Sequence, residues 1–241
     1  MVEQRTENPR VGGSIPSLAI KSTEMTATTT GLVRGDDGLA RCWWGASAPD
    51  YAAYHDAEWG RPVTGDHRLF EKICLEGFQA GLSWLTILRK RASFRRGFAN
   101  FDYAKVARFT GRDVARLLRD AGIVRHRGKI ESTINNAKLA LDFQESHGSL
   151  AAYFWGFEPD PVSRPKRLTR EVLMTMATSP ESVALSKDLK KRGWSFVGPT
   201  TMYAFMQAMG LVNDHLHGCH CRLDAAMARA QLTTPGRKAI V

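Results

Sequence analysis

The chain has 241 residues, enough to bury a hydrophobic core in one large or two small domains, which excludes disorder throughout. Its 34 Lys and Arg against 24 Asp and Glu give a net charge of +10, and residues 85–130 hold that whole surplus, with thirteen cations against three acids. Four cysteines are too few and too unevenly spaced for a secreted disulfide framework. No apolar run reaches the roughly 18 to 20 residues of a membrane span and no signal peptide is visible, so a reducing cytoplasm is the expected setting.

Residues 1–40 are rich in Gly, Ser and Thr, including Thr26-Ala27-Thr28-Thr29-Thr30-Gly31, and read as a flexible tail in which Met25 offers an internal start. Residues 41–222 read as one mostly helical domain, and residues 223–241 as a second tail with a short helix near Ala225 to Ala230. Within residues 73–84, an apolar run carries a single acid, Glu76, with Gly77 and Gly81. Glycine costs a helix roughly 1 kcal/mol relative to alanine, so another backbone or a ligand is expected to approach closely there. On one continuous helix Ala80, Ser83 and Trp84 follow Glu76 at i+4, i+7 and i+8, which puts the acid and the indole on neighbouring parts of one face, as in the wall of a pocket for a planar guest.

Thr110 with Asp113 forms a capping-box pattern, Val114, Leu117 and Leu118 supply an apolar stripe, and Ala121-Gly122 ends this short helix. A second helix starts near Gly128 or Lys129, with Ile130, Ile134, Ala137 and Leu141 on one face. The link Gly122-Ile123-Val124-Arg125-His126-Arg127-Gly128 reads as a backbone clamp for phosphate, with charge added by Arg125, Arg127 and Lys129 and by the positive end of the next helix. The clustered cations make nucleic acid the expected partner, because counterion release needs charge concentrated on one surface. Ser179-Pro180 marks a helix start with Leu185 and Leu189 buried and Gly193 as its stop, and residues 199–209 form another helix stopped at Gly210. Alternating strand patterns are scarce, so the fold is expected to be all-α without repeats.

Cysteine and histidine gather near the two ends of the domain, as Cys42 and His55 in front and His215-Leu216-His217-Gly218-Cys219-His220-Cys221 behind. Two thiolates with two imidazoles make a closed tetrahedral zinc site of structural kind, but the spacing alone does not choose the ligands, since helical and extended readings select different sets.

Together the segments Cys42-Trp43-Trp44, Tyr51-Ala52-Ala53-Tyr54-His55-Asp56-Ala57-Glu58-Trp59-Gly60, Ile73-Cys74-Leu75-Glu76-Gly77, Ala80-Gly81-Leu82-Ser83-Trp84, Gly122-Ile123-Val124-Arg125-His126-Arg127-Gly128-Lys129-Ile130, Lys191-Arg192-Gly193-Trp194-Ser195-Phe196-Val197-Gly198 and Gly210-Leu211-Val212-Asn213-Asp214-His215 closely resemble the 3-methyladenine DNA glycosylase I family. The match runs from about Arg41 to Cys221. The resemblance implies a helix-hairpin-helix fold, excision of 3-methyladenine from alkylated double-stranded DNA, and one structural zinc on Cys42, His55, His215 and Cys219, leaving His217, His220 and Cys221 outside. It also implies that Glu76 is the pocket carboxylate, accepting a hydrogen bond from the exocyclic amine and favouring a base made cationic by methylation.

A flipped base needs π-faces, which Tyr54 and Trp84 are expected to supply, with Trp59, Trp44 and Tyr51 toward the rim. The resemblance implies no aspartate after the hairpin to support the sugar cation, and Asp142 is not assigned that role; the chemistry tolerates the absence, because a methylated purine is already cationic and leaves neutral. No lysine stands out as a Schiff-base nucleophile, so a monofunctional enzyme acting as a monomer is expected. The rival readings are a noncatalytic zinc-containing DNA-binding protein, which binds but excises nothing, and a zinc hydrolase, which needs an open metal position.

Overall fold

A computed structural model describes residues 31–235, so the proposed internal start at Met25 lies outside the described residues. The chain begins there with an antiparallel strand pair, β1 (Leu32–Arg34) and β2 (Ala40–Cys42), registered Leu32 to Cys42. Helices follow: α1 (Pro49–Ala57), α2 (Asp66–Gln79), α3 (Trp84–Gly97), α4 (Tyr103–Val106), α5 (Gly111–Arg119) and α6 (Arg127–His147). The second half adds α7 (Leu150–Trp155), α8 (Arg170–Thr175), α9 (Pro180–Lys191), α10 (Pro199–Ala208) and α11 (Cys221–Gln231).

The local signals sit where the sequence puts them. Thr110 and Asp113 form a reciprocal capping box at the start of α5. Ser179 accepts from Ser182 N at 3.2 Å at the start of α9, with Pro180 as first helical residue. Within the stretch read as an N-terminal tail, β1 forms because it pairs with β2 and buries Val33. The helix expected near Ala225 to Ala230 is present as α11, which starts earlier, at Cys221, and ends at Gln231, with Ala225 packed inward and Arg229 paired with Glu158.

The middle of the fold is α2, which touches α3, α6, α7 and α10. Every residue from Leu69 to Gln79 is buried, a pattern that belongs to a helix surrounded on all sides. It follows that the polar residues on that helix, Glu71, Lys72, Glu76 and Gln79, need partners inside the protein or from a ligand. Gly77 is where the close approach predicted from its glycine occurs: a Cβ there would lie 3.1 Å from Phe196 Cβ and 3.4 Å from Phe196 O.

The expectation of one continuous helix through residue 84 is corrected. The helix ends at Gln79, Gly81 turns the chain at φ +80°, and Ser83 caps α3 by accepting from Thr86 N at 3.3 Å. Trp84 therefore opens a new helix, and its meeting with Glu76 is made by the turn between α2 and α3 rather than by helical spacing.

Candidate active site and a four-donor cluster

Four side chains from three helices converge beside that turn: Tyr54 from α1, Lys72 and Glu76 from α2 and Trp84 from α3. Glu76 is 3% exposed, Trp84 1% and Tyr54 4%, so the carboxyl is enclosed by aromatic rings. The Tyr54 and Trp84 rings lie 5.4 Å apart, tilted by 46°. Lys72 Nζ ties the group together: it is 2.7 Å from Glu76 Oε1, donates to Tyr54 Oη at 2.8 Å and stands 3.2 Å from the centre of the Trp84 ring.

Lys72 went unnoticed in the sequence reading, although it precedes Glu76 by four residues, the spacing that puts two side chains on one helix face. Glu76 Oε1 meets that ammonium as an ion pair and has no other polar partner among the described residues. Gln79 Oε1 and the indole N–H groups of Trp44, Trp59 and Trp84 have no hydrogen-bond partner among the described residues. Buried polar atoms left without hydrogen-bond partners are uncommon; among the described residues several lie on this carboxylate and its aromatic neighbours, and another, Trp194 Nε1, lies elsewhere beside Phe143.

Desolvation sets the electrostatics. Burial raises the Glu76 carboxyl above its usual range while the Lys72 charge opposes it. Burial also pulls the Lys72 ammonium down to about 8 against the opposing charge of Glu76. Around this pair lies a belt of arginines: Arg91 and Arg68 hold Glu58, and Arg95 and Arg68 hold Glu71. Part of the basic surplus of residues 85–130 is thus engaged inside the fold rather than on its surface.

Trp59 stands one ring further back. It meets Trp44 edge-on at 4.9 Å and His215 at 4.7 Å, while Trp44 reaches Tyr54 at 6.3 Å and Tyr51 at 5.8 Å. Trp59 and Trp44 therefore link the acidic site to the cluster behind it.

In that cluster, the ligand atoms of Cys42, His55, His215 and Cys219, all buried, lie within 4.8 Å of one another. His55 Nε2 is 3.3 Å from His215 Nδ1, and Cys219 Sγ is 3.5 Å and 3.6 Å from those two nitrogens. The outward ring nitrogens are already engaged, His55 Nδ1 with Asp56 Oδ1 at 2.7 Å and His215 Nε2 with Trp59 O at 3.1 Å. Asp56 is in turn held by Arg41 at 2.7 Å. Gly60 makes room for His215, since a Cβ there would sit 2.9 Å from Nε2. His217 is exposed, while His220 and Cys221 join His55 and Asp56 in a neighbouring group.

The link between α5 and α6 departs from the sequence reading at two points. The Gly122 N–H is taken by Asp120 Oδ1 at 2.7 Å, and the absent side chain makes room for Ser93 Oγ, which a Cβ would meet at 2.8 Å. Lys129 is turned inward, where Nζ donates to Phe78 O at 2.8 Å and Ala80 O at 2.5 Å and so caps the end of α2. Arg125 and Arg127 are exposed as expected, and Gly128 sits in the first turn of α6, half-buried beside His126.

A sequence profile of the methyladenine glycosylase family matches residues 43–222. The chain belongs to that family. This methyladenine glycosylase is 48% identical over 185 residues to "DNA-3-methyladenine glycosylase 1" of Escherichia coli (strain K12), covering 76% of this chain and 97% of that protein. It is 45% identical over 185 residues to "DNA-3-methyladenine glycosylase" of Haemophilus influenzae, with the same coverage of 76% and 97%. A crystal structure of 3-methyladenine DNA glycosylase I superposes with a TM-score of 0.69 at 48% identity, over 76% of this chain and 99% of that one. The Staphylococcus aureus 3-methyladenine DNA glycosylase I, solved for its recognition of 3-methyladenine, gives 0.69 at 35% identity, over 76% and 96%. Membership makes the protein an enzyme, a hydrolase of N-glycosidic bonds.

Proposed function

We propose that this enzyme takes a methylated adenine out of the alkylated DNA duplex, hydrolyses its N-glycosidic bond and leaves an abasic site without cutting the strand. The observation that carries this reading is the enclosed junction of Glu76 with the Tyr54 and Trp84 rings, where the Trp84 indole N–H has no hydrogen-bond partner among the described residues. Two tilted rings offer faces to a planar guest. The Glu76 carboxylate accepts from the exocyclic amine and complements the positive charge that N3 methylation gives the base. In a dry site that charge pairing counts for far more than in water, so neutral adenine is held less well.

Methylation also makes the base a good leaving group, since it departs neutral, and the sugar cation left behind is closed by water. The two lysines nearest the site are engaged, Lys72 by Glu76 and Tyr54 and Lys129 by the Phe78 and Ala80 carbonyls. Lys129 is thereby withheld from Schiff-base formation with the sugar, which supports a monofunctional reaction.

The α5–link–α6 unit is read as a helix-hairpin-helix that holds the backbone flanking the lesion. Arg125 on the link, with Arg108, Arg112 and Arg119 nearby in the chain, is exposed and makes no ion pair among the described residues. Arg125→Ala and Arg127→Ala should each weaken binding to undamaged duplex and lower the slope of log affinity against log salt by about 1, in a titration repeated at several salt concentrations. An unchanged slope in both variants would move the DNA contact elsewhere.

A zinc ion suits Cys42, His55, His215 and Cys219. Ligand bonds of about 2.0 to 2.3 Å in a tetrahedron imply edges of about 3.3 to 3.8 Å, which the separations of 3.3, 3.5 and 3.6 Å among His55, His215 and Cys219 match, with the Cys42 sulfur within 4.8 Å of all three. The Asp56 and Trp59 contacts orient both imidazoles in the manner of metal ligands. When bound, the ion supplies a structural clasp, for two thiolates and two imidazoles leave no coordination position for a substrate.

The deciding experiment is base release from methylated duplex DNA at low salt, with products separated chromatographically. Free 3-methyladenine and an uncut strand are expected, and absence of any released base from the unmutated protein would end this reading.

A further inference from the structure

The site proposed to receive a cationic base already holds a cation. Lys72 Nζ lies 2.7 Å from Glu76 Oε1, 3.2 Å from the centre of the Trp84 ring and 2.8 Å from Tyr54 Oη. These are the carboxylate and the two rings assigned above to the methylated base, and only 5% of the Lys72 side chain is exposed.

We propose that Lys72 is a positioning residue that serves as the resident counter-cation of the base site and releases one proton to solvent when a cationic base binds. This deepens the proposed function and rests on it. In the empty site burial raises the Glu76 carboxyl and the ammonium opposes that rise, favouring the ionised form. A second positive charge on the same carboxylate is strongly repelled in so dry a place. Deprotonation is the cheaper escape, because burial, opposed by the Glu76 charge, pulls the Lys72 ammonium down to about 8. Removing its proton at pH 7 therefore costs affinity only about tenfold.

The groups facing Lys72 leave it the one suited to this exchange just above neutrality. Tyr54 on α1 is pushed well above the usual phenol range by burial and then by Glu76, so it stays protonated. Burial raises the Glu58 carboxyl, but Arg91 on α3 and Arg68 on α2 outweigh it and hold Glu58 ionised. Glu76 is kept toward its charged form by Lys72 itself.

Charge balances around the cycle. Binding converts the ammonium to an amine with one proton released to solvent. Hydrolysis of a cationic nucleoside by water yields a neutral base, a sugar hydroxyl and one proton, equal to the proton that recharges Lys72. The restored ammonium then competes with the neutral base for Glu76 and Trp84, which favours departure of the product. A neutral, undamaged adenine never triggers the exchange, so Lys72 adds discrimination to that supplied by Glu76.

The test is calorimetric titration of the full chain with an adeninium cation methylated at both N3 and N9, a permanently charged base without a sugar to cleave. Heats measured in two buffers of different ionisation enthalpy give the number of protons released. Close to one is expected at pH 7, fading toward none at pH 9.5, above the Lys72 range. Lys72→Arg keeps a charge beside Glu76 but cannot shed it, so it should release no proton and bind the cation at least tenfold more weakly at pH 7. Binding without proton release by the unmutated protein, release that does not fade with rising pH, or undiminished release by Lys72→Arg would each overturn the proposal. Should the protein excise 3-methyladenine from DNA yet bind the cation without losing a proton, the Lys72 proposal fails and the proposed function stands. If it neither excises the base nor binds the cation, both fail.

Discussion

Glu76→Gln is expected to lower kcat/KM for 3-methyladenine release by roughly a hundredfold, a loss of about 3 kcal/mol of transition-state stabilisation. The substitution keeps the shape and one hydrogen-bond acceptor but removes the charge that distinguishes a methylated base from an ordinary adenine. The cost is large because the carboxyl is 3% exposed, so water does not screen it. The pH profile separates this role from simple packing. Burial raises the Glu76 carboxyl, so the unmutated enzyme should lose activity on acidification earlier than an ordinary carboxylate would dictate. The loss comes as pH falls, because protonation removes the useful charge, and that acid limb should be missing from Glu76→Gln. Comparable activity and the same limb in the variant would show that Glu76 neither selects nor stabilises the cation. Circular dichroism of both proteins checks that the fold survives, since Lys72, left without its counter-charge, can neutralise itself by losing a proton.

The second large effect concerns the four-donor cluster. Cys42→Ser should abolish a stoichiometry of about one zinc per chain in elemental analysis and lower the melting temperature by more than about 10 °C. The expected destabilisation is about 3 to 5 kcal/mol, a large share of a domain's usual margin. The donors come from β2, α1 and the segment before α11, so losing the ion frees both ends of the fold at once. Two buried imidazoles and the Cys219 thiol would then face one another without the ion, an arrangement whose desolvation the metal otherwise offsets. Chelation of the unmutated protein should act in the same direction, with activity lost only as the protein melts. Metal-free protein that is fully folded and equally stable would remove the structural role, and loss of turnover in chelated protein that stays folded would point to metal chemistry instead.

These expectations differ in how early they could be read. The caps of α5 and α9 are written in a few adjacent residues, since Thr110 with Asp113 and Ser179 with Pro180 satisfy backbone groups within one turn of chain. Glu76 and the Cys and His residues at the two ends of the domain stand out in the sequence as residue types that do not belong in an apolar setting without a purpose. The helix period, by contrast, misplaced the partnership of Glu76 with Trp84. Gly81 breaks the helix, and the indole returns to the acid only because α3 folds back on α2.

By itself, then, the sequence determined the family, the mostly helical order, the boundaries of α9 and α10 and which residues carry unusual chemistry, because each of these depends on short-range pattern or on residue identity. Tertiary structure alone decided what the cations do. Lys129, read as a phosphate ligand, caps α2 from fifty residues away in the chain; Arg91 and Arg95 neutralise acids on other elements; and Lys72 pairs with Glu76 between the Tyr54 hydroxyl and the Trp84 ring. A long charged side chain looks the same in a sequence whether it ends in water or in a carboxylate, and only the packing of helices distant in the chain sets its dielectric surroundings and its partner.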